Sequence, residues 1–454
     1  MSGKVAKRYE MDMCNGPLFK KMLIFTLPLM ASSLLQLLFN AADIIVVGRF
    51  AGDNSLAAVG STSSLVNLLV NLFMGLSIGA NVLVARFYGA RREKDLSETI
   101  HTSIAISIVS GCLLTIIGCF GAGIILKWMG TPEEVLNLAV IYLRTYFIGM
   151  PAMMLYNFGA AILRAIGDTQ RPLRYLAFSG VINVSLNLVF VIVFHWGVFG
   201  VGLATTISQV VSAILVLRCL LKEEGALQLR LKEIRIIGNK LLQILKIGLP
   251  AGFQGILFSI SNVVIQSSIN SFGATVVAGN SAASNVEGFV YVGMNSFYQA
   301  AISFTSQNYG ARKCDRIKRI LFIAVACSVT VGGVMGMGAY LLGPLLLGFY
   351  TTSQEVIAAG MIRLSIIAFS YALCGFMDTI VGSLRGIGYS VGPMIVSLVG
   401  VCATRLLWIS TVFRIPEYHK IETVYIIYPI SWVITAIAHF ITFAIAMKKI
   451  KKQA

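Results

Sequence analysis

The segment TLPLMASSLLQLLFN (26–40) returns later in the chain as GLPAGFQGILFSISN (248–262), with Pro28 over Pro250 and Asn40 over Asn262. A shift of 221 or 222 residues also lays RFYGARR (86–92) on QNYGARK (307–313). It lays GTPEEVLNLAVIYLR (130–144) on TTSQEVIAAGMIRLS (351–365), and ILRAIGDTQRP (162–172) on SLRGIGYSVGP (383–393). Apolar helices share Leu and Ala by chance. Shared Pro, Gly and Arg punctuation in one order marks an internal duplication.

The repeated unit is built of membrane-spanning helices. The chain has 454 residues, 57% hydrophobic and 12% charged, about half the charged fraction of a soluble domain. Apolar runs of roughly 20 residues, long enough to cross a ~30 Å hydrocarbon core, recur throughout. We read twelve spans, near 20–48, 56–85, 97–126, 133–162, 173–194, 199–220, 241–271, 274–305, 317–347, 354–383, 392–413 and 423–446. The expected fold is therefore all-α and integral to the membrane, with twelve transmembrane helices in two six-helix pseudo-symmetric lobes. The lobes cover 1–220 and 241–454, and the charged segment 221–240 links them in the cytoplasm. Six spans per half give both halves the same orientation, as in parallel-repeat transporters with a midplane cavity.

The net charge of +17 follows from topology. Of the 36 Lys and Arg, 29 fall in the tails and alternate loops of one side. Arg49, Lys127, Arg414 and Lys420 lie on the other side, and Arg144, Arg363 and Arg405 lie within spans. The positive-inside rule places both termini in the cytoplasm, in a multi-pass protein of the plasma (inner) membrane. Nucleic-acid binding is disfavoured, because the positive charge is already accounted for. The eight cysteines are scattered, with no CxxC and no Cys/His cluster, so neither a disulfide framework nor a metal site is expected. The N-terminus MSGKVAKRYEMDMCNG has no apolar region followed by a small-residue cleavage site, and the first span is expected to direct insertion.

Against this apolar background the polar residues stand out. Gln36, Asn40 and Asp43 are spaced i, i+4, i+7 and share a helical face, and Asn183 and Asn187 form a second pair at i, i+4. A charged Asp in a membrane helix costs from about 2.5 kcal/mol upward unless it meets a cavity or a partner. A stripe facing a cavity satisfies that demand, with Asp43 as the exchangeable charge; a solvated interfacial acid is the alternative. In the second half, Asn262, Gln266 and Asn270 run along one span, Glu287 lies in the next, and Asp378 occupies the repeat position of Asn157. Arg405 sits within a span, and either Glu287 or Asp378 is its expected partner. Asn67 and Asn71 line the cavity or bridge helices. Met and aromatic residues such as Met150, Met153, Met154 and Tyr156 suit an adaptable pocket as well as ordinary packing.

The LP motifs, NAADIIVVG (40–48), GARR and LRAIGDTQRP together resemble the multidrug and toxic compound extrusion (MATE) transporters, over residues 18–447. The resemblance implies a cation-coupled antiporter exporting small organic, often cationic, molecules. It assigns Asp43, Asn183, Asn187 and Thr205 to ion coupling; the polar positions within the spans, read by themselves, make Gln36, Asn40, Asn67, Asn157, Asn262, Gln266, Glu287, Asp378 and Arg405 the expected substrate or cavity residues. Two departures bear on the ion. Asn187 stands where many members have Asp, and Phe258 and Cys374 stand where some sodium-coupled members carry C-lobe acids. The expected coupling ion is thus H+ or Na+ handled in the N-lobe, with no cofactor. The expected partners are a small organic substrate and the lipid bilayer, and the expected state is a monomer. Two rival readings are a lipid-linked saccharide flippase and an integral-membrane enzyme. The first wants a strongly basic cavity; the second wants a nucleophile–base or metal constellation, and HExxH does not occur, while the GxSxG strings GLSIG (75–79) and GYSVG (388–392) have no paired His/Asp motif beside them. A passive channel is a third.

Overall fold

The computed structural model describes residues 9–453, so Lys4, Lys7 and Arg8, which contribute to the orientation argument, lie outside the described residues. The elements are α1 (Leu18–Phe50), α2 (Asp53–Gly89), α3 (Glu93–Trp128), α4 (Glu133–Ile148), α5 (Met150–Ala165), α6 (Gln170–Leu188) and α7 (Gly197–Leu221). The second half follows with α8 (Gly238–Asn270), α9 (Ala274–Gly310), α10 (Cys314–Leu341), the short α11 (Gly343–Gly348), α12 (Gln354–Gly386), α13 (Val391–Ser397), α14 (Thr404–Ser410) and α15 (Ile421–Gln453).

The duplication is written into the backbone. Helix starts lie 221 residues apart in α2 and α9, α3 and α10, α4 and α12, and α6 and α13. The positive-φ residues repeat at the same spacing: Gly52 with Gly273, Arg91 with Arg312, and Gly167 with Gly388. Arg91 and Arg312 adopt φ of 55° and 57° just before α3 and α10, a left-handed turn uncommon outside Gly.

Among the described residues ten helices are long and apolar enough to cross a membrane, and the bent pair α4–α5, taken as one span, makes an eleventh. The twelfth is α9. It has the 37-residue length of its repeat partner α2, but Asn280, Glu287 and Gln307 dilute its apolarity and are buried inside the protein.

The span expected over 133–162 is broken into α4 and α5, which meet at 46°. The cause is local. Pro151 has no N–H to give to the carbonyl of Phe147, four residues earlier. The Thr115 hydroxyl donates to that carbonyl instead, at 2.7 Å. Gly149 N–H turns to Tyr146 O, and the bypassed carbonyl of Thr145 accepts from Thr206 Oγ1 at 2.9 Å. Gly111 of α3 lets the bend pack closely, since a Cβ there would stand 2.3 Å from Pro151 Cα. Thr115→Val keeps the shape but leaves the Phe147 carbonyl without its donor where water cannot replace it. It should lower stability by about 1–3 kcal/mol, read as a lower unfolding midpoint in detergent.

Contacts divide the chain into two units, and the division does not fall at the 221–240 linker. One unit comprises Met1–Asp12 and Ala31–Gly252; the other comprises Met13–Met30 and Phe253–Ala454. Two helices therefore change unit partway along, α1 within two residues of Pro28 and α8 within two residues of Pro250. In the first unit the start of α8 lies against α2, where a Cβ on Gly79 would stand 2.4 Å from Ile244 O. In the second unit the start of α1 lies against α9: Phe25 meets Phe304 edge-on at 5.5 Å, and Asn308 Nδ2 donates to Met13 O at 3.0 Å.

The linker packs on the first unit. Leu227 and Leu229 are buried, Arg230 N–H donates to His101 Nε2 at 3.0 Å, and buried Lys240 is bonded to Asp95 and lies 3.7 Å from Glu98. Each unit has an apolar exterior, with Phe120, Trp128, Phe322 and Phe349 all more than 70% exposed, as lipid-facing helices require.

Candidate functional site

A cavity of about 480 Å³ lies within the first unit, between α1, α2, α4, α5, α6 and α7. Each helix contributes residues at helical spacing. Helix α1 gives Gln36, Asn40 and Asp43; α2 gives Thr62, Ser63 and Asn67; α4 gives Tyr142 and Tyr146; α5 gives Met153, Tyr156 and Asn157. Asn183 comes from α6, and Thr205, Ser208, Gln209 and Ser212 come from α7. Among the described residues Asp43 is the one acid lining this space, and no Lys, Arg or His lines it.

The carboxylate is held from one side. Asn187 Nδ2 donates to Asp43 Oδ1 and lies 3.4 Å from Asn183 Oδ1; Asn183 Nδ2 in turn lies 3.4 Å from Thr205 Oγ1, whose hydroxyl donates to Val201 O at 2.9 Å. Asn183 and Asn187 are buried at one-turn spacing, and the α-helix gives way to a π-helical turn at Val189–Val193 just beyond them. Such turns commonly mark functional positions in helices. Asn187 Oδ1 is buried with no hydrogen-bond partner among the described residues. One carboxylate, two side-chain amides and a hydroxyl thus converge around an unsatisfied acceptor oxygen. That donor set fits a small cation bound by oxygen, and it equally fits a proton carried on Asp43 itself.

The residues singled out in sequence separate by half. Gln36, Asn40, Asp43, Asn67, Asn157, Asn183 and Thr205 all line the one cavity, with Asn187 immediately behind Asp43. Asn71 is not among the lining residues. Tyr142, Tyr146, Ser208, Gln209 and Ser212 escaped notice in the sequence. Their signal was present as polar stripes at one-turn spacing, Tyr142–Tyr146 and Thr205–Ser208/Gln209–Ser212, in spans otherwise read as apolar.

The C-lobe residues serve other networks. Glu287 does not pair with Arg405. It accepts two bonds from Arg363, at 2.9 and 2.7 Å, while Arg363 Nη1 donates to Asn280 Oδ1 at 2.6 Å. Asn280 Nδ2 donates to Gln266 Oε1 at 3.0 Å. The Tyr371 and Tyr425 hydroxyls close the cluster, on Glu287 and Asn280 respectively, each at 3.3 Å. Arg405 instead donates to Ser431 Oγ at 3.2 Å and Asn262 Oδ1 at 3.3 Å, and stacks 4.2 Å from the Tyr428 ring centroid. The expected Arg405–acid pair is therefore replaced by hydroxyl, amide and π contacts, which sequence spacing could not reveal. Asp378 stands half-buried beside Cys374, whose Sγ is 3.9 Å from Asp378 Oδ2. Among the described residues no group of three or more His, Cys, Asp and Glu could hold a metal ion.

With this geometry in place, the model of the MatE family matches residues 28–189 and 250–408, one block in each repeat. The chain belongs to the MatE family. The probable multidrug resistance protein YoeA of Bacillus subtilis is 28% identical to it over 95% of this chain and 94% of its own. The probable multidrug resistance protein YpnP of the same organism is 26% identical over 86% and 87%. A solved structure described as the outward-facing conformation of a multidrug resistance MATE family transporter of the MOP superfamily superimposes with a TM-score of 0.89. It covers 97% of this chain and 98% of its own at 23% identity, which establishes the twelve-helix, two-lobe fold. This MatE chain is thus a multi-span membrane protein of a multidrug efflux transporter family, and a transporter rather than an enzyme.

Proposed function

We propose that this MatE protein is a secondary antiporter. It exports small organic, often cationic, compounds by alternating access in exchange for H+ or Na+, with Asp43 as the shared charge and Asn183, Asn187 and Thr205 as its setting. The observation that carries the reading is the charge inventory of the cavity: one carboxylate, no base, and a wall of amides, hydroxyls, Tyr and Met. A cationic substrate and the coupling ion compete for a single negative site. A bare carboxylate enclosed without water or counter-charge costs several kcal/mol, so the cavity closes readily only when Asp43 is neutralised by one or the other. That restriction makes exchange obligatory. Cation arriving from outside displaces substrate there, and substrate arriving from inside displaces cation.

The same inventory disfavours a flippase for an anionic lipid-linked saccharide, which needs basic residues where none line the cavity. Tyr142, Tyr146 and Met153 offer polarisable, shape-tolerant contact for aromatic cations. The protein is proposed to act as a monomer in the plasma membrane with both termini cytoplasmic, supported by the 29-to-4 distribution of basic residues outside the spans.

The test is transport of a panel of cationic dyes by the full chain in proteoliposomes, with the proton and sodium gradients collapsed in turn. Loss of uphill dye movement with one gradient names the ion. Dye movement indifferent to both gradients removes the antiport reading. In the same assay Asp378→Ala should change the order of preference among dyes at least about threefold while leaving ion dependence intact, as expected of a C-lobe acid outside the Asp43 cavity. An unchanged dye order would remove Asp378 from substrate selection.

A further inference from the structure

The second unit carries a feature that shares no residue with the Asp43 cavity. A groove of about 540 Å³ runs between α10 and α15 over α12. Its walls are single helical faces: Lys318, Leu321, Phe322 and Val325 on α10, and Phe440, Phe443, Ala444, Met447, Lys448 and Lys451 on α15. Phe376 and Ile380 of α12 form the floor. Leu321, Ile380, Phe443 and Met447 belong to one packed core, so the floor is rigid, while Phe322 and Phe440 stand 75% and 53% exposed at the rim.

The groove is apolar along its length and basic at one end. There it adjoins a second cavity, of about 560 Å³, lined by Arg312, Lys313, Arg316, Arg319 and Lys451, with Asp315 the one acid. Lys451 lines both. Asp315 is paired with Lys451 at 3.0 Å, whereas Lys318 and Lys448 are exposed and form no ion pair among the described residues. A surplus of positive charge therefore stands at the head of an open apolar channel.

We infer that this composite site binds an anionic phospholipid, with one acyl chain along the α10–α15 groove and the phosphate headgroup among Lys318, Lys448 and Lys451. Both halves of the shape are needed. The apolar groove alone accepts any acyl chain, and the basic cavity alone accepts any small anion. Their junction at Lys451 selects a molecule that is apolar and anionic at once, in the leaflet reached by the last turn of α15. Such a lipid would bridge α10 and α15 at the end of the chain, where the two helices are held together through the α12 core and the Lys451–Asp315 pair.

The test is native mass spectrometry of the full chain released from micelles doped with equal amounts of phosphatidylglycerol and phosphatidylcholine. The wild-type protein should retain phosphatidylglycerol preferentially. Lys318→Gln with Lys448→Gln should reduce that retention about tenfold. Lys94→Gln with Lys232→Gln, the same charge loss on exposed residues of the other unit, should leave it unchanged. Ala444→Trp, which fills the groove while keeping every lysine, should also release the lipid, and excess inorganic phosphate should not. Equal retention of the two lipids, an equal loss in the Lys94/Lys232 control, retention surviving Ala444→Trp, or displacement by phosphate would each overturn the assignment.

Discussion

Asp43→Asn should abolish gradient-driven dye export while leaving insertion and folding intact. The substitution is nearly isosteric, and the new amide still offers an oxygen to Asn187 Nδ2, so the bond that orients α1 against α6 survives. What disappears is the one negative charge lining the cavity. Without it no cation is bound in exchange, and the neutral cavity closes whether or not it is loaded. Coupling then fails even where substrate still binds. Uphill transport should fall to the level of protein-free vesicles. Affinity for cationic dyes should weaken at least about tenfold, the loss expected when a charge-assisted contact worth about 1.4 kcal/mol or more is removed. Affinity for neutral analogues should change little. Flux and dye binding measured on the same preparation check the two halves separately, and wild-type uphill flux in Asp43→Asn would remove this residue from the mechanism.

A second large effect is expected far from that cavity. Glu287 and Arg363 form a bidentate pair with both side chains at least 93% buried, and their remaining bonds go to Asn280 and Tyr371. Breaking one member of such a pair leaves the other charged and alone, at a cost of about 3–5 kcal/mol. Glu287→Gln should therefore lower the unfolding midpoint in detergent more than any single cavity substitution. Glu287→Met combined with Arg363→Met should recover most of the loss, because two apolar residues of similar volume leave no lone buried charge. A double variant no more stable than Glu287→Gln would show that the pair stabilises for some other reason, for example by ordering Asn280 and Gln266.

The cavity and the ion pair differ in how far the sequence exposes them. Gln36, Asn40 and Asp43 announce a polar face by spacing alone, since period 3.6 is a local property and lipid tolerates no idle carboxylate. The Asn183–Asn187 pair is legible for the same reason. Tyr142 and Gln209 are not, because one Tyr or Gln in an apolar span is compatible with packing, and only the neighbouring helices decide what it faces. Arg363 was visible as an intramembrane charge, yet its partner was not. Glu287 lies 76 residues away on another helix, and nothing local favours that pair over Glu287 with Arg405. The bend at Gly149–Pro151 lies between these cases. Proline predicts a lost hydrogen bond, but whether a span breaks depends on donors such as Thr115 and Thr206 arriving from other helices.

By itself the sequence determined the membrane setting, the helical class, the duplication with its repeat of 221 residues, and the stripe carrying Asp43. All of these follow from composition and periodicity, which act over one or two helical turns or by simple recurrence. The tertiary structure alone decided that α1 and α8 change contact unit beside Pro28 and Pro250. It alone decided that Asn187 holds Asp43, that Glu287 belongs to Arg363, and that a basic cavity meets an apolar groove at Lys451. Each of these depends on which faces of distant helices meet. Packing fixes that choice through shape and hydrogen-bond demand summed over many residues, and no short stretch of chain carries it.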